Sequence, residues 1–486
     1  MYDHLEVEKK WQKYWADHET FKTDVWDFSK PKFYALDMFP YPSGVGLHAG
    51  HPEGYTATDI VSRMKRMQGY NVLHPMGYDS FGLPAEQYAV QTGNNPNGFT
   101  QTNIKTFTKQ LQELGFDYDW SKMIATSDPE FYHWTQWIFK QLYKDGYAKY
   151  VDMPVNWCEE LGTVLSNDEV IDGKSERGGY PVIRKNMKQL CIDQAAFAER
   201  LLEGLNEIDW PESTKEMQRN WIGRSTGVEV QFEIVGGGKF SIFTTCIETI
   251  YGITFMVLAP DGDLVQELMP RIKNQDEVKA YIQETVSKSE MDRTELNKGK
   301  TGCRLEGIKA INPVNGREVE VFIGDFVLAN YGTGAVMAVP SHDQRDFEYA
   351  IAHNIDRIQV IEGRDVSEHA FEKQDYLGKG CKLINSEEFT GLTVEEAKVA
   401  ITKKLVDMGI AKETVNYRFR EWIFARQRYW GEPVPIVHLE DGTDYVLPDE
   451  ELPLILPELE DYKGHNGKAP LENATEWKQY NQNGVK

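Results

Sequence analysis

The chain has 486 residues, 41% hydrophobic and 12% aromatic, with 12 Trp and 24 Tyr; this excludes a disordered protein and leaves room for about two to four units of roughly 150 residues. No run approaches the roughly 20 apolar residues that span a bilayer, and the amino-terminal MYDHLEVEKKWQKYW is charged and amphipathic, so a cytoplasmic enzyme without a membrane partner is expected. The net charge of −23 taken alone weighs against a nucleic-acid binder, yet binding follows local potential, and basic residues cluster at Arg63/Lys65/Arg66, Arg184/Lys185/Lys188 and Arg418/Arg420/Arg426/Arg428.

Residues 5–17 read as a helix with an aromatic face. Lys32-Phe-Tyr-Ala-Leu-Asp-Met-Phe39, bounded by Pro31 and Pro40, reads as a buried strand. A turn-rich loop, Tyr41-Pro-Ser-Gly-Val-Gly-Leu-His-Ala-Gly-His51, leads into a helix with Pro52 in its first turn and Ala57, Ile60, Val61, Met64 and Met67 as its apolar residues. Gly69 ends it and Asn71-Val-Leu-His-Pro75 is the next strand. This β-loop-α-β unit predicts an α/β fold with a doubly wound parallel sheet. Residues 101–148 read as helical, with Trp134, Trp137, Ile138 and Leu142 as core, and 150–190 as a small, irregular insertion.

Near residue 225 the pattern changes. Val228-Glu-Val-Gln-Phe-Glu-Ile234 alternates like a half-buried strand, and Gly236-Gly-Gly238 turns the chain into Phe240-Ser-Ile-Phe-Thr-Thr245. Further strands are expected at 319–328 and 334–339, and helices at 275–289 and 395–408. The expected organisation is a nucleotide-binding unit over 1–224, an inserted α/β domain over 225–415, and a return to the first unit over 416–486. The cysteines at 158, 191, 246, 303 and 381 are scattered and form no C-x-x-C pair, so neither a disulfide framework nor a thiolate zinc site is indicated.

The loop ending in His48-Ala-Gly-His51 carries the chemistry. It joins a strand end to a helix N-terminus, where backbone N–H groups and the helix dipole suit an anion such as a triphosphate. Gly50 permits close approach, and each imidazole is a hydrogen-bond donor for phosphate oxygen. The alternatives are a zinc pair, which needs further ligands, or two satisfied loop histidines. Gly44-Val-Gly46 makes no dinucleotide fingerprint and no G-K-[ST] follows.

Met38-Phe-Pro-Tyr-Pro-Ser-Gly with Leu47-His-Ala-Gly-His51-Pro-Glu-Gly-Tyr resembles the first ATP-binding motif of class I aminoacyl-tRNA synthetases in its leucyl form. His74-Pro-Met-Gly-Tyr-Asp79-Ser-Phe-Gly-Leu-Pro-Ala-Glu86 is similar to that family's amino-acid pocket. Further similar segments are Val155-Asn-Trp-Cys158, Trp210-Pro-Glu, Met217-Gln-Arg-Asn-Trp-Ile-Gly-Arg-Ser225, Gly332-Thr-Gly-Ala-Val-Met-Ala-Val-Pro340 and Arg426-Gln-Arg-Tyr-Trp-Gly-Glu-Pro433. The resemblance implies a Rossmann-like catalytic domain interrupted by an editing domain. It implies leucine–tRNA ligation from leucine, Mg2+-ATP and tRNA(Leu); no structural zinc is expected, because relatives that bind zinc in the 150–190 insertion supply more cysteines there. It assigns ATP contacts to Pro42, Ser43, Gly44, His48, Gly50 and His51, with His48 and His51 catalytic, and leucine contacts to Phe39, Tyr41 and Asp79; Asp79, past a strand end, is otherwise an Asx-turn residue. Arg418 and Arg420 are assigned to tRNA. Tyr78 and Ser80 stand where the family usually has Trp and Ala.

The departures sit elsewhere. Phe243-Thr-Thr-Cys-Ile-Glu-Thr249 aligns with the family's T-T-R-P-D-T editing motif: Thr244, Thr245 and Thr249 match, while Cys246, Ile247 and Glu248 replace Arg, Pro and Asp. Ser341-His-Asp-Gln-Arg-Asp346 places Asp346 at the editing acid, with Asp343 a second candidate. A thiol replaces neither the charge nor the planar donors of Arg, and no feature points to a base that would make Cys246 a nucleophile, so impaired editing is expected. Asp193 reverses a charge that relatives carry, and Ser175-Glu-Arg-Gly-Gly179 stands where zinc-binding relatives have cysteines. The family's K-M-S-K-S loop would lie beyond Lys486, and Val286-Ser-Lys-Ser-Glu290 is not its equivalent. The second reading is therefore a truncated paralogue that binds tRNA or leucine without turnover, and a complementing carboxy-terminal chain is a further expected partner.

Overall fold

The computed structural model describes residues 3–42, 44, 46–166, 169–171, 173–286, 293, 301–329, 333–418, 421–423, 429–462 and 469–481. Ser43, Arg420, Arg426 and Arg428, and most of the 286–290 segment, lie outside the described residues. Helix α1 (His4–Asp17) is started by Asp3, whose carboxylate accepts the Leu5 and Glu6 N–H groups. Its aromatic face is real but buries no residue; Trp11 and Tyr14 meet edge to face.

Two parallel pairs form the first unit. Strand β1 (Lys32–Tyr34) lies beside β2 (Asn71–Leu73), and β3 (Gly77–Tyr78) beside β4 (Ile124–Ala125). Of the expected 32–39 strand only Lys32 to Tyr34 pair in full; the Ala35 N–H still donates to the Leu73 carbonyl at 2.9 Å, and Leu36 to Phe39 run on towards Pro40 outside the strand. Helix α2 (Gly50–Met67) makes the crossover from β1 to β2. Its orientation corrects the sequence reading: Ile60, Val61, Met64 and Met67 are exposed, while the basic residues face inward. Arg63 donates to Asp59 at 2.8 Å and to the Gly115 carbonyl at 2.6 Å, and Arg66 donates to Asp117 at 3.0 Å. This cluster is therefore not a solvated face, since Arg63 and Arg66 are paired with carboxylates and Lys65 lies over the Phe33 and Tyr70 rings.

The partner beneath α2 is a buried ionic clamp. His74 Nδ1 meets Asp117 Oδ1 at 2.6 Å and Nε2 meets Asp37 Oδ2 at 3.0 Å. Tyr118 donates to Asp37 at 2.7 Å, and Ser62 donates to Asp117 at 2.7 Å. Burial acts to lower the His74 pKa, but hydrogen bonds and charge from Asp117 and Asp37 outweigh it and raise it. Burial acts likewise to raise both carboxyls, and the hydrogen bonds they accept, His74 first, hold them below the usual range.

Helix α3 (Leu83–Thr92) follows the β3 end, then α4 (Pro96–Glu113) and α5 (Pro129–Lys144). The expected single helical stretch over 101–148 is thus divided, because Gly115, in the left-handed region, and the 117–125 segment carry the chain back to the clamp and to β4. Trp134 and Ile138 are 61% and 54% exposed, so helical spacing here marks an outer face rather than core; Leu142 does pack inward. The 150–190 segment is not irregular either. Strands β5 (Ala148–Cys158) and β9 (Ile183–Ile192) form a long antiparallel ladder, with β6 (Thr163–Leu165) beside β5 and the short pair β7 (Val170–Ile171) and β8 (Lys174–Ser175) near its tip.

The second half is built on a seven-stranded sheet: β10 (Ser225–Ile234), β11 (Lys239–Thr244), β12 (Phe255–Leu258), β13 (Gly302–Ile311), β14 (Glu318–Gly324), β15 (Ala335–Ala338) and β16 (Ala411–Asn416), in the order β11-β10-β13-β14-β12-β15 with β16 also on β10. Gly236, Gly237 and Gly238 all have positive φ, which is how the β10–β11 hairpin turns where a side chain would be strained. Phe232, Ile242, Ile247, Ile250 and Leu305 are fully buried in its core. Helices Gln275–Val286 and Val394–Asp407 match the expected ones, the latter with a Thr393/Glu396 capping box. Strand β10 pairs β16 from Ser225–Asn416 to Val230–Ala411, so the segment leaves and rejoins at adjacent strands, after which β17 (Trp422–Ile423) adds to β9. No helix among the described residues is long and apolar enough to cross a membrane.

The clamp has a signed pH dependence. With the His74 pKa raised above its unfolded value of about 6.5, its contribution is complete below that pH and lost as pH rises through the raised value. The lowered carboxyls contribute above about 3.9 and lose that contribution as pH falls. His74→Gln should cost about 3–5 kcal/mol in thermal unfolding at pH 6 and flatten the alkaline decline. A variant with the parent's alkaline decline would place that decline on other groups.

Candidate functional site

The first site is assembled where β1 and β3 end. The loop between β1 and α2 is tied to α4: Asn103 donates to the Pro42 carbonyl at 2.8 Å, and the Leu47 N–H donates to Gln110 at 2.8 Å. At the start of α2 the His48 and His51 rings stack with centroids 3.8 Å apart. The His48 N–H donates to His51 Nδ1, and the Gly50 N–H donates to His48 Nδ1, each at 3.1 Å. Since a backbone N–H only donates, both Nδ1 atoms are acceptors, and the proton of each neutral ring is on Nε2. Burial, then the adjacent His48 ring, lowers the His51 pKa, which favours the neutral form that the accepted hydrogen bond requires.

This refines the expected anion site. The N–H groups of His48, Gly50 and His51 are engaged and Pro52 has none, so the two Nε2–H groups add donors to the helix start alongside the Ala49 N–H, supported by the helix dipole. A Cβ at position 50 would stand 3.0 Å from the His48 ring, so that ring would have to give way slightly to admit one. Gly44 is exposed with open space around it.

Asp79 lies beside this loop. Its N–H donates to the Pro40 carbonyl at 3.2 Å, which fastens the end of β3 to the strand end that leads into the histidine loop. Its carboxylate is exposed, takes only a 3.5 Å contact from Thr126, and makes no Asx turn among the described residues. Burial of the surroundings raises its pKa, with Thr126 partly opposing. Phe39 packs its ring on Gly77, where a Cβ would be 2.5 Å from it. Tyr41 donates to the Phe81 carbonyl against Gly82, and its pKa is pushed up to about 12 by burial, then by Asp79, with Arg177 acting in the opposite sense.

The chain returning from the inserted half closes the base of this pocket. Trp430 Nε1 donates to the Ser80 carbonyl at 2.8 Å, its N–H donates to Glu86 at 3.3 Å, and its ring meets Phe81 at 5.0 Å. Glu432 follows, its pKa raised by burial and by Asp79. Sequence reasoning quoted the Glu432 segment without giving it a role, and treated Arg177 only as part of a stretch lacking cysteines. Arg418 is exposed, its N–H donating to the Ile222 and Gly223 carbonyls.

The second site lies after β11. Cys246 occupies a tight turn: its N–H donates to Thr244 Oγ1 at 3.0 Å, its carbonyl accepts from Thr249 Oγ1 at 2.8 Å, and Thr245 Oγ1 is 3.6 Å from the thiol. Lys398 donates to the Thr245 carbonyl at 2.9 Å. Glu248 is buried, accepts from Tyr376 at 3.2 Å, and leaves Oε2 without a partner, so burial raises its pKa despite Lys398, Tyr376 and Lys373. Burial first, then Glu248 and Cys246, makes the Tyr376 proton harder to remove. Asp343 caps helix Gln344–Ala352 through the Arg345 and Asp346 N–H groups, while Asp346 accepts the Val339 N–H at 2.9 Å. His342 is buried between the Phe371 carbonyl and the Val360 N–H, and burial lowers its pKa to about 4. Among the described residues no group of three or more His, Cys, Asp or Glu could hold a metal ion.

Two family models match the chain: tRNA synthetases class I (I, L, M and V) over residues 10–245, and the editing domain of leucyl-tRNA synthetase over 219–406. A solved ternary complex of the Agrobacterium radiobacter K84 LeuRS with tRNA and LeuAMS is similar at a TM-score of 0.80 and 33% identity, covering 98% of this chain. The chain spans 56% of that synthetase.

Glu248 generates a stability prediction. A buried acid with a raised pKa opposes folding progressively as pH rises above about 4.5. Glu248→Gln removes that cost, so its denaturation midpoint should match the parent at pH 4.5 and exceed it at pH 8. A lower midpoint at pH 8 would mean that the carboxylate is needed charged.

Proposed function

Because the chain belongs to the leucyl-tRNA synthetase family of class I aminoacyl-tRNA synthetases, we propose that it is the part of a leucine–tRNA ligase that binds ATP and leucine and forms leucyl-adenylate. The supporting observation is the Asp79 N–H to Pro40 contact, which brings an exposed carboxylate alongside the histidine loop. Asp79 receives the α-ammonium of leucine, and Phe39 and Tyr41 shape its pocket. His48 and His51 donate from Nε2 to the phosphates, with Pro42, Ser43, Gly44 and Gly50 forming the surrounding loop. The leucine carboxylate attacks the α-phosphorus in line and pyrophosphate leaves, so the protein supplies position and charge stabilisation rather than a nucleophile. Mg2+ arrives with ATP and neutralises phosphate charge. A terminal ribose hydroxyl of tRNA(Leu) then takes the leucyl group, with Arg418 and Arg420 on the tRNA side.

We read the second site as an editing pocket of reduced power. Thr244, Thr245, Thr249 and Asp346 keep family positions, but at position 246 a thiol held in a backbone turn replaces a fixed guanidinium. Tyr376 beside it holds its proton more tightly than a free phenol, so it is no base for the thiol. Discrimination among leucine, isoleucine and norvaline by binding alone reaches only about 10–200-fold, so the loss matters.

Asp79→Ala should weaken leucine binding by about 2–5 kcal/mol and leave ATP binding near the parent, while His48→Ala and His51→Ala should do the reverse; equilibrium dialysis reads both. Equal loss of both ligands from Asp79→Ala would make Asp79 a structural residue.

For editing, the chain should hydrolyse isoleucyl- or norvalyl-tRNA(Leu) poorly, and Cys246→Arg with Ile247→Pro should raise the rate. Efficient deacylation by the parent, abolished by Cys246→Ser, would instead make the thiol functional.

A further inference from the structure

Arg177 stands in a turn built to project it. Ser175, buried, accepts the Tyr180 N–H at 3.0 Å and donates through the same hydroxyl to the Arg177 carbonyl at 2.8 Å. The Ser175 N–H donates to the Tyr180 carbonyl at 2.8 Å, and Gly178 and Gly179 carry φ of +87° and +64°, which tightens the loop beyond what side chains allow. At its crest Arg177 is exposed and donates by Nη1 to Gln87 on α3 at 3.4 Å. Gln87 lies five residues along α3, about 7.5 Å of helical rise, from Gly82, against which the Tyr41 hydroxyl rests. No carboxylate within 4 Å pairs with this guanidinium among the described residues, and Gln87 takes only one of its five N–H donors. The Tyr41 hydroxyl feels Asp79 and Arg177 with opposite signs. The site therefore carries carboxylates at Asp79 and Glu432, and on its α3 side the exposed Arg177 guanidinium brought to Gln87 by the β5–β9 insertion.

Such a pair of poles fits a zwitterion held at both ends. Resting on the leucine-activation reading, we propose that Arg177 binds the α-carboxylate of the amino acid whose ammonium Asp79 receives, so that the insertion fixes the direction in which the carboxylate meets ATP. A planar fork suits this better than an ammonium, because carboxylate oxygens accept two parallel N–H bonds.

The test compares leucine with leucinol, which keeps the ammonium and side chain but lacks the carboxylate, by calorimetry on the full chain. Arg177→Gln should weaken leucine about tenfold and leave leucinol within about twofold, with Arg177→Lys between them for leucine. The Tm of each variant should match the parent. Equal losses of leucine and leucinol would reduce Arg177 to a tether between the insertion and α3, and overturn the proposal. So would an unchanged leucine affinity, or a loss confined to ATP. A parent chain that binds neither leucine nor leucinol fails differently: it removes the activation reading itself.

Discussion

The first half of the molecule depends on one fully buried imidazole held between two carboxylates. His74 lies just past β2, Asp37 just past β1, and Asp117 in the segment that runs on to β4. Asp37 is two residues before Phe39, and His74 is five before Asp79, so the clamp fixes the strand ends that bear both parts of the first site. Asp119 extends it, its N–H donating to the His74 carbonyl and its carboxylate taking the Thr23 N–H at 2.9 Å. A buried charge is tolerated only with its partners in place, so the clamp specifies one arrangement of these segments more than it adds net stability.

The inserted half solves its packing by other means. Its core is a continuous apolar cluster from Val228 to Leu405, and the most deeply buried of its acids among the described residues, Glu248, has an oxygen left unmatched. Ile247, in the place of a proline, is fully buried there. The three substituted positions thus have different environments: the thiol is partly accessible, the isoleucine is core, and the glutamate is packed on Tyr376. Only the Cys246 side chain reaches the surface; those of Ile247 and Glu248 are enclosed in the packing of the turn.

Much of this was legible in the sequence. The β-loop-α-β unit, the 225–245 hairpin and the helices near 275–286 and 394–407 followed from periodicity and turn glycines, because these elements obey local rules. The histidine loop and Asp79 were found from motifs. What periodicity could not supply was direction. In α2 the apolar residues are exposed and Arg63 and Arg66 face inward, because Asp59 and Asp117, unpaired in the sequence, are waiting there. The same holds for Trp134 and Ile138 on α5. The β5–β9 ladder was missed because its strands mix charged and apolar residues and the segment that joins them carries the glycines at 162, 173, 178 and 179. Glu432, Trp430 and Arg177 were invisible as site residues because they join the pocket from 90 to 350 positions away.

The pairing of β10 with β16 has a consequence for how such a chain comes to be folded. If the roughly 190 residues between Ser225 and Asn416 were an unstructured loop, closing it would cost the host on the order of 4–5 kcal/mol in chain entropy. Because the two ends are neighbouring strands of one sheet, that cost is met within the insertion's own folding. The host then meets two chain ends already held at strand spacing, about 5 Å apart. During synthesis the insertion emerges before the Tyr429–Trp430 segment that closes the pocket, so a folded insertion delivers that late segment to a partner made some 350 residues earlier. Interrupting the host at this place therefore leaves its long-range closure nearly as local as it would be without the insertion.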